Sequence, residues 1–249
     1  MSRTFETLQR LEKEQELAAS SATAAPVASP VLVERSRKSV RLGEEEILKM
    51  VQRVFRSTNP DSPHAVVFSS IEHGEGCTWV CANAALTLAA QTNASICVVD
   101  ANLRTPSLHL FFGIENTFGL AEAVMQPGPM RSFAQQISGS NLWVLTTGAL
   151  PLQSPAAALS SEAMRQRMAD LRAEFEYVLI DTPPTNLYAD ASTMGRLSDG
   201  LILVLQGNAT RREAAGKAKE GLALANVRLL GAILNKRSYP IPQRFYNLF

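Results

Sequence analysis

A chain of 249 residues with 46% hydrophobic content is long enough for one α/β domain plus appendages and carries the apolar material for a proper core. Its 24 Lys+Arg against 23 Asp+Glu leave a formal net charge of +1, which is no footprint for a polyanion and argues against a nucleic-acid partner. No apolar run approaches the roughly 20 residues of a membrane span, the opening Met1-Ser2-Arg3-Thr4-Phe5-Glu6 lacks the apolar core of a signal peptide, and Cys77, Cys81 and Cys97 make no disulfide framework, so a reducing cytoplasm is the expected setting.

Phe5, Leu8 and Leu11 recur at helical spacing among charges, predicting a short amphipathic helix over 3–18. Residues 19–33 are rich in Ala, Ser and Pro and read as a linker. Arg35, Arg37, Lys38 and Arg41 follow; a solvated stretch accounts for them better than a lipid contact. Residues 1–40 are thus a helix-and-linker segment, 41–236 an α/β domain and 237–249 a tail. The domain opens with a helix predicted over 43–56, placing Ile47, Leu48, Val51, Val54 and Phe55 on one face and Glu44 to Glu46 in a first turn that the helix dipole favours. Asn59-Pro60-Asp61-Ser62-Pro63 then breaks the chain.

From Ala65 onward strand and helix signals alternate. Strands are predicted at 65–70, 95–100, 142–146, 177–181, 200–205 and 228–234, and helices at 78–91, 106–112, 117–125, 160–174, 189–197 and 209–225. Alternation of this kind predicts a three-layer α/β fold with a mostly parallel central sheet flanked by helices. Ligands in such sheets sit at the carboxyl ends of the strands. The residues that carry chemistry gather there.

The first strand ends in Ser69-Ser70, and Ile71-Glu72-His73-Gly74-Glu75-Gly76-Cys77-Thr78 leads into a helix. Strand, glycine loop and helix is the layout of a phosphate-binding loop, in which main-chain N–H groups and the helix N-terminus cradle phosphate oxygens. The loop 73–78 is therefore the predicted nucleotide cradle: His73, Gly74, Glu75, Gly76, Cys77 and Thr78. Such loops end Gly-Lys-Ser/Thr, yet Cys77 occupies the lysine's place. Thr78 stands where a hydroxyl would ligate Mg²⁺, or alternatively caps the helix. Asp100 and Asp181 each end an apolar strand, where a carboxylate orients metal-bound water or accepts a proton; turn formation is the other role open to them. Thr78, Asp100 and Asp181 form the candidate metal set, with the two aspartates as candidate catalytic groups.

The segments SSIEHGEGCT, VVDANLRTPSLHLFFG, GLAEAV, YVLIDTPP and GAILN occur in that order. Together they resemble the bacterial tyrosine kinases of capsule and exopolysaccharide synthesis, a branch of the deviant Walker-type P-loop ATPases that includes the Min and Par proteins. The resemblance covers about residues 44–235. It implies a P-loop NTPase-like fold, ATP or ADP with Mg²⁺, autophosphorylation on a tyrosine-rich tail, and ring assembly through the helix at 44–55. It also implies a membrane polysaccharide co-polymerase, or chain-length regulator, as partner, with the domain cytoplasmic at the inner face of the membrane. Asn235 matches the family residue that reads the adenine edge, a turn asparagine being the alternative, and Tyr239 and Tyr246 are the phosphoacceptor candidates.

This chain departs from the family at several points. Glu72 and His73 stand where a Min-type lysine would be, Asp100-Ala101-Asn102 replaces Asp-x-Asp, and the tail holds two tyrosines rather than a cluster. A hydrogen bond to a charged group is worth about 1.5–3 kcal/mol, so loss of the lysine weakens nucleotide affinity roughly ten- to a hundredfold. Positive clamps on a transferring phosphoryl group are worth ~10³-fold or more, so transfer suffers more than binding. The leading expectation is a regulatory kinase-like protein with weakened or lost autophosphorylation. The others are an active autokinase whose charge comes from His73, Arg104 or Arg211-Arg212, a Min/Par-type positioning ATPase, and an interaction module that binds no nucleotide. Cys77, one helical turn before Cys81, reads either as a redox-sensitive thiol at a helix N-terminus or as a small residue packed under the loop.

Overall fold

The computed structural model describes residues 37–56, 61–149 and 154–236, with the backbone alone for 37–44. Its sheet contains β1 (Ala65–Ser70), β2 (Ile96–Asp100), β3 (Gln135–Gln136), β4 (Leu142–Leu145), β5 (Tyr177–Asp181), β6 (Gly200–Gln206) and β7 (Leu229–Asn235), in the spatial order β3-β4-β2-β5-β1-β6-β7. Every pairing is parallel except that of the short β3 with β4. The central strands β1, β2 and β5 are apolar runs because both of their faces are covered. The register sets Asp100 directly beside Asp181, and Phe68 beside Asp181 on the other side.

One face of the sheet is covered by α1 (Arg37–Phe55), α2 (Cys77–Gln91) and α3 (Leu108–Phe112), which bury Ile47, Val51, Phe55, Val80, Leu88 and Leu108 with Val66, Phe68 and Ile96. The other is covered by α4 (Leu120–Met125), α5 (Pro155–Leu159), α6 (Glu162–Glu174), α7 (Asp190–Arg196) and α8 (Arg212–Leu224), with Met164, Met168, Leu171, Met194 and Leu222 packed on Val67, Val99 and Ile180.

Several boundaries differ from the sequence pattern, each for a local reason. The first described helix begins at Arg37, so Glu44 to Glu46 lie in its middle and its first turn holds no acidic residue. The helix predicted over 160–174 is α6, starting at Glu162, and the short α5 precedes it, because two serines each cap one: Ser154 Oγ accepts from Ala157 N–H at 3.3 Å, and Ser161 Oγ accepts from Met164 N–H at 3.1 Å. The helix predicted from 106 starts at Leu108, since the N–H groups of Ser107 and Leu108 are both given to Asp100 at 3.0 Å. The one predicted from 117 starts at Leu120, because Gly119 N–H is held by Glu122 Oε2 at 2.7 Å while Leu120 and Ala121 donate to the carbonyls of Thr146 and Thr147. That wiring gives the GLAEAV segment a structural role. A Cβ on Gly119 would lie 2.2 Å from the Thr146 carbonyl oxygen.

The amino ends of the strands are stapled by Asp199, whose Oδ2 accepts from His64 N–H and Ala65 N–H at 2.8 Å each, while Oδ1 pairs with Arg172 at 2.8 Å. Burial works against its charge, but the Arg172 guanidinium and the two amides outweigh it and hold the carboxyl below the usual range. Asp199→Ala should cost about 1–3 kcal/mol in urea unfolding at neutral pH, because two strand amides lose their acceptor. The folded pKa is depressed, so this stabilisation is present above the unfolded value of about 3.9 and is lost as pH falls through the folded one. Parent and variant should therefore converge in acid, and a gap that persists there would show that the carboxylate charge is not what holds the strands.

Candidate functional site

The chain leaves β1 at Ser70 and turns through Ile71–Gly76 into α2. Gly74 and Gly76 are both left-handed, with φ of 82° and 89°. Gly76 has a second constraint, since an added Cβ would meet Asn235 Nδ2 at 2.4 Å. Gly76→Ala should therefore lower stability by about 1–3 kcal/mol and disturb the loop, to be seen as a fall in Tm together with loss of any heat on ADP addition. An unchanged Tm would mean that the loop does not need this backbone.

Glu75 is buried and spent on structure. Its Oε2 accepts from Ile71 N–H at 2.7 Å and Glu72 N–H at 3.1 Å, and its Oε1 from Thr210 Oγ1 and, at 3.4 Å, from Gln206 N–H. The side chain of Glu75, expected from the sequence in the nucleotide cradle, thus fastens the loop to the end of β6. His73 is exposed at the loop's tip.

Thr78 lies in the first turn of α2, whose N-cap is Gly76, so its hydroxyl is not a cap. Instead Thr78 Oγ1 donates to Asp181 Oδ2 at 2.6 Å and lies 3.0 Å from Ser107 Oγ. Asp100 accepts three main-chain N–H groups: Asn102 at 3.1 Å on Oδ1, and Ser107 and Leu108 at 3.0 Å on Oδ2. The loop, Thr78, Asp100 and Asp181 therefore meet at the carboxyl ends of three adjacent strands. Ser107 joins them, signalled in the sequence only by its place seven residues after the β2 aspartate.

Both aspartates are fully buried. Burial is the main cause that raises the carboxyl of Asp181, with the neighbouring Asp100 charge adding to it and hydrogen bonds from Thr78 and Cys77 opposing it. Asp100 is also raised by burial, but three amides soften the effect. Burial of the two adjacent carboxyls thus favours a proton on the pair, and Asp181 Oδ1 is buried with no hydrogen-bond partner. An orphaned carboxylate oxygen beside a second carboxylate and two hydroxyls suits a hard divalent cation.

Cys77 is buried at the start of α2, and burial, then the Asp181 charge, push its thiol well up. That is the reverse of an activated thiol at a helix N-terminus, so the redox reading gives way to a small side chain packed under the loop, with Cys81 beneath it. Arg104 is not free to serve the loop. Its guanidinium holds buried Asp190 through Nε at 2.9 Å and Nη2 at 3.2 Å, and its Cζ sits 4.0 Å from the centre of the Tyr188 ring. Asn235 reaches the loop, donating from Nδ2 to the Glu75 carbonyl at 2.8 Å. Tyr239 and Tyr246 lie outside the described residues, as do the helix and linker expected before residue 37. A cleft of about 570 Å³ lined by His64, Arg172, Val178, Asp199 and Arg228 lies at the amino ends of the strands, away from this constellation.

The fold and the loop define the class first, that of the P-loop NTPases. MinD of Pyrococcus horikoshii, solved with Mg-ADP, shares the fold with a TM-score of 0.59 at 21% identity, over 73% of this chain and 75% of that one. The family follows from closer relatives. The model of the cellulose biosynthesis protein BcsQ family matches residues 64–217. Tyrosine-protein kinase YwqD of Bacillus subtilis is 38% identical over 171 residues, 69% of this chain and 71% of that protein. Tyrosine-protein kinase CpsD of Streptococcus agalactiae is 29% identical over 174 residues, 70% of this chain and 74% of that protein. The VpsO kinase domain aligns with a TM-score of 0.73 at 26% identity, over 81% of this chain and 98% of that one. The chain belongs to the bacterial tyrosine kinase family of BcsQ-like P-loop proteins.

Proposed function

We propose that this chain is a kinase-fold regulator of capsule or exopolysaccharide assembly that binds ATP or ADP with Mg²⁺ weakly and has weakened or lost tyrosine autophosphorylation. One observation carries the reading: the loop keeps its left-handed glycines and its carboxylate pair, yet position 77 holds a buried thiol turned toward Asp181. In this proposal the main-chain N–H groups of 73–78 hold the phosphates, and Thr78, Asp100 and Asp181 hold the metal. Bound Mg²⁺ supplies charge neutralisation on the phosphate oxygens. Thr78 offers a hydroxyl, Asp181 its open Oδ1, and Asp100 a carboxylate fixed by three amides.

Position 77 is where the proposal departs from an active kinase. Phosphoryl transfer rests on positioning and charge stabilisation. A thiol that burial keeps protonated supplies neither, so binding outlasts transfer. The chain acts through assembly, with itself and with a membrane polysaccharide co-polymerase. Among the described residues no helix is long and apolar enough to cross a membrane.

The test is titration calorimetry with Mg·ADP and Mg·ATP, paired with γ-labelled ATP in the presence of the partner. Weak binding without label is expected. Tight micromolar binding with label on Tyr239 or Tyr246, abolished by Asp181→Asn, would instead establish an active autokinase. No heat at millimolar nucleotide would leave an interaction module.

A further inference from the structure

The loop is gripped by two consecutive residues, the last of β7 and the one after it. Asn235 Nδ2 donates to the Glu75 carbonyl at 2.8 Å, and Lys236 Nζ donates to the Gly74 carbonyl. Lys236 holds a left-handed backbone, φ 52°, that turns its side chain back over the loop, where its Cε lies 3.7 Å from the place of a Cβ on Gly76.

Both contacts are to carbonyls, and in a trans peptide the N–H points opposite to the C=O. The described residues contain no cis peptide. The carbonyl that Lys236 binds shares its peptide with Glu75 N–H, and the one that Asn235 binds shares its peptide with Gly76 N–H. Fixing the two carbonyls therefore fixes the direction of those two N–H groups, each pointing away from the side chain that binds its carbonyl. An ammonium on the Gly74 carbonyl also polarises the peptide, so that its N–H becomes a stronger donor.

The other cations near the site do not do this. Arg104 is held by Asp190, and Arg211 and Arg212 are exposed at the start of α8. Resting on the reading that this loop binds nucleotide, we propose that Lys236 is a positioning residue for the phosphates. Through the Gly74–Glu75 peptide, it replaces part of the charge absent at position 77.

The experiment uses the full chain and Mg·ADP. Lys236→Met should weaken binding about five- to tenfold, an exposed ammonium being partly screened. Lys236→Arg should recover most of that loss, and the methionine variant should show a flatter salt dependence. Beside Cys77→Lys, where a cation stands inside the loop, the Lys236→Met effect should shrink to less than about twofold. Amide exchange of the nucleotide-free protein gives a second readout, with faster exchange at Glu75 and Gly76 expected in Lys236→Met at unchanged Tm. Equal loss with Met and Arg, an undiminished loss beside Cys77→Lys, or unaltered exchange would each overturn the inference. If the parent gives no heat with Mg·ADP, the proposed function fails on its own. The exchange comparison then still decides whether Lys236 orders the loop.

Discussion

Asp181→Asn should make the nucleotide-free protein more stable at neutral pH while removing its response to Mg·ADP. The side chain is fully buried beside Asp100, and burial followed by that neighbouring charge raises its carboxyl to about 7. An acid whose folded pKa lies above its unfolded value, near 3.9, keeps more protons when folded across the interval between them. Its contribution to stability is complete below the unfolded value and is lost as pH rises through the folded one. Without divalent cation, the parent's Tm should fall between about pH 4 and 7 and the variant's should not. At about 1.36 kcal/mol per pKa unit the difference at pH 8 is on the order of 2–4 kcal/mol, shrinking toward zero near pH 4. In the parent, Mg·ADP should raise Tm by linkage; in the variant it should not. A strained site kept at a cost in stability is a mark of function. A variant less stable than the parent at pH 8 would mean that some other group already compensates the carboxylate.

The second large effect is expected from Cys77→Lys. Position 77 opens α2 beside Asp181, so an ammonium there meets both the carboxylate pair and the phosphates. Mg·ADP affinity should rise about ten- to a hundredfold, as for a hydrogen bond to a charged group. Any transfer to Tyr239 or Tyr246 should rise by ~10³-fold or more, because a cation counts for more where charge develops. Calorimetry reads the first and γ-labelled ATP the second, with Cys77→Ser as the control that should change neither. Unchanged affinity in the lysine variant would locate the deficit elsewhere, with Asn102 in place of the family's second aspartate the first suspect.

Much of this site was legible in the chain because its parts are local. Gly74 and Gly76 between an apolar strand and a helix announce a turn that needs left-handed backbone. Asp100 and Asp181 at the ends of apolar runs announce strand tips. Element boundaries were less legible, since Ser107 and Leu108 give their N–H groups to Asp100, and Leu120 and Ala121 give theirs to the carbonyls of Thr146 and Thr147, all partners outside the helices that begin there. The role of Glu75 was invisible for the same reason: its acceptors' partners, Gln206 and Thr210, lie 131 and 135 residues away.

The chain alone settles the alternation of strand and helix, the glycine loop, the two strand-end acids and the absent lysine, because period, turn chemistry and residue identity act between near neighbours. Only the folded molecule decides that Arg104 belongs to Asp190, that burial and then a neighbouring carboxylate raise the pKa of the Cys77 thiol, that one oxygen of Asp181 has no partner, and that Lys236 lands on the loop. Those outcomes depend on which strands lie side by side and how deeply their tips are buried. Charge and hydrogen bonding respond to distance in space, which sequence spacing does not encode.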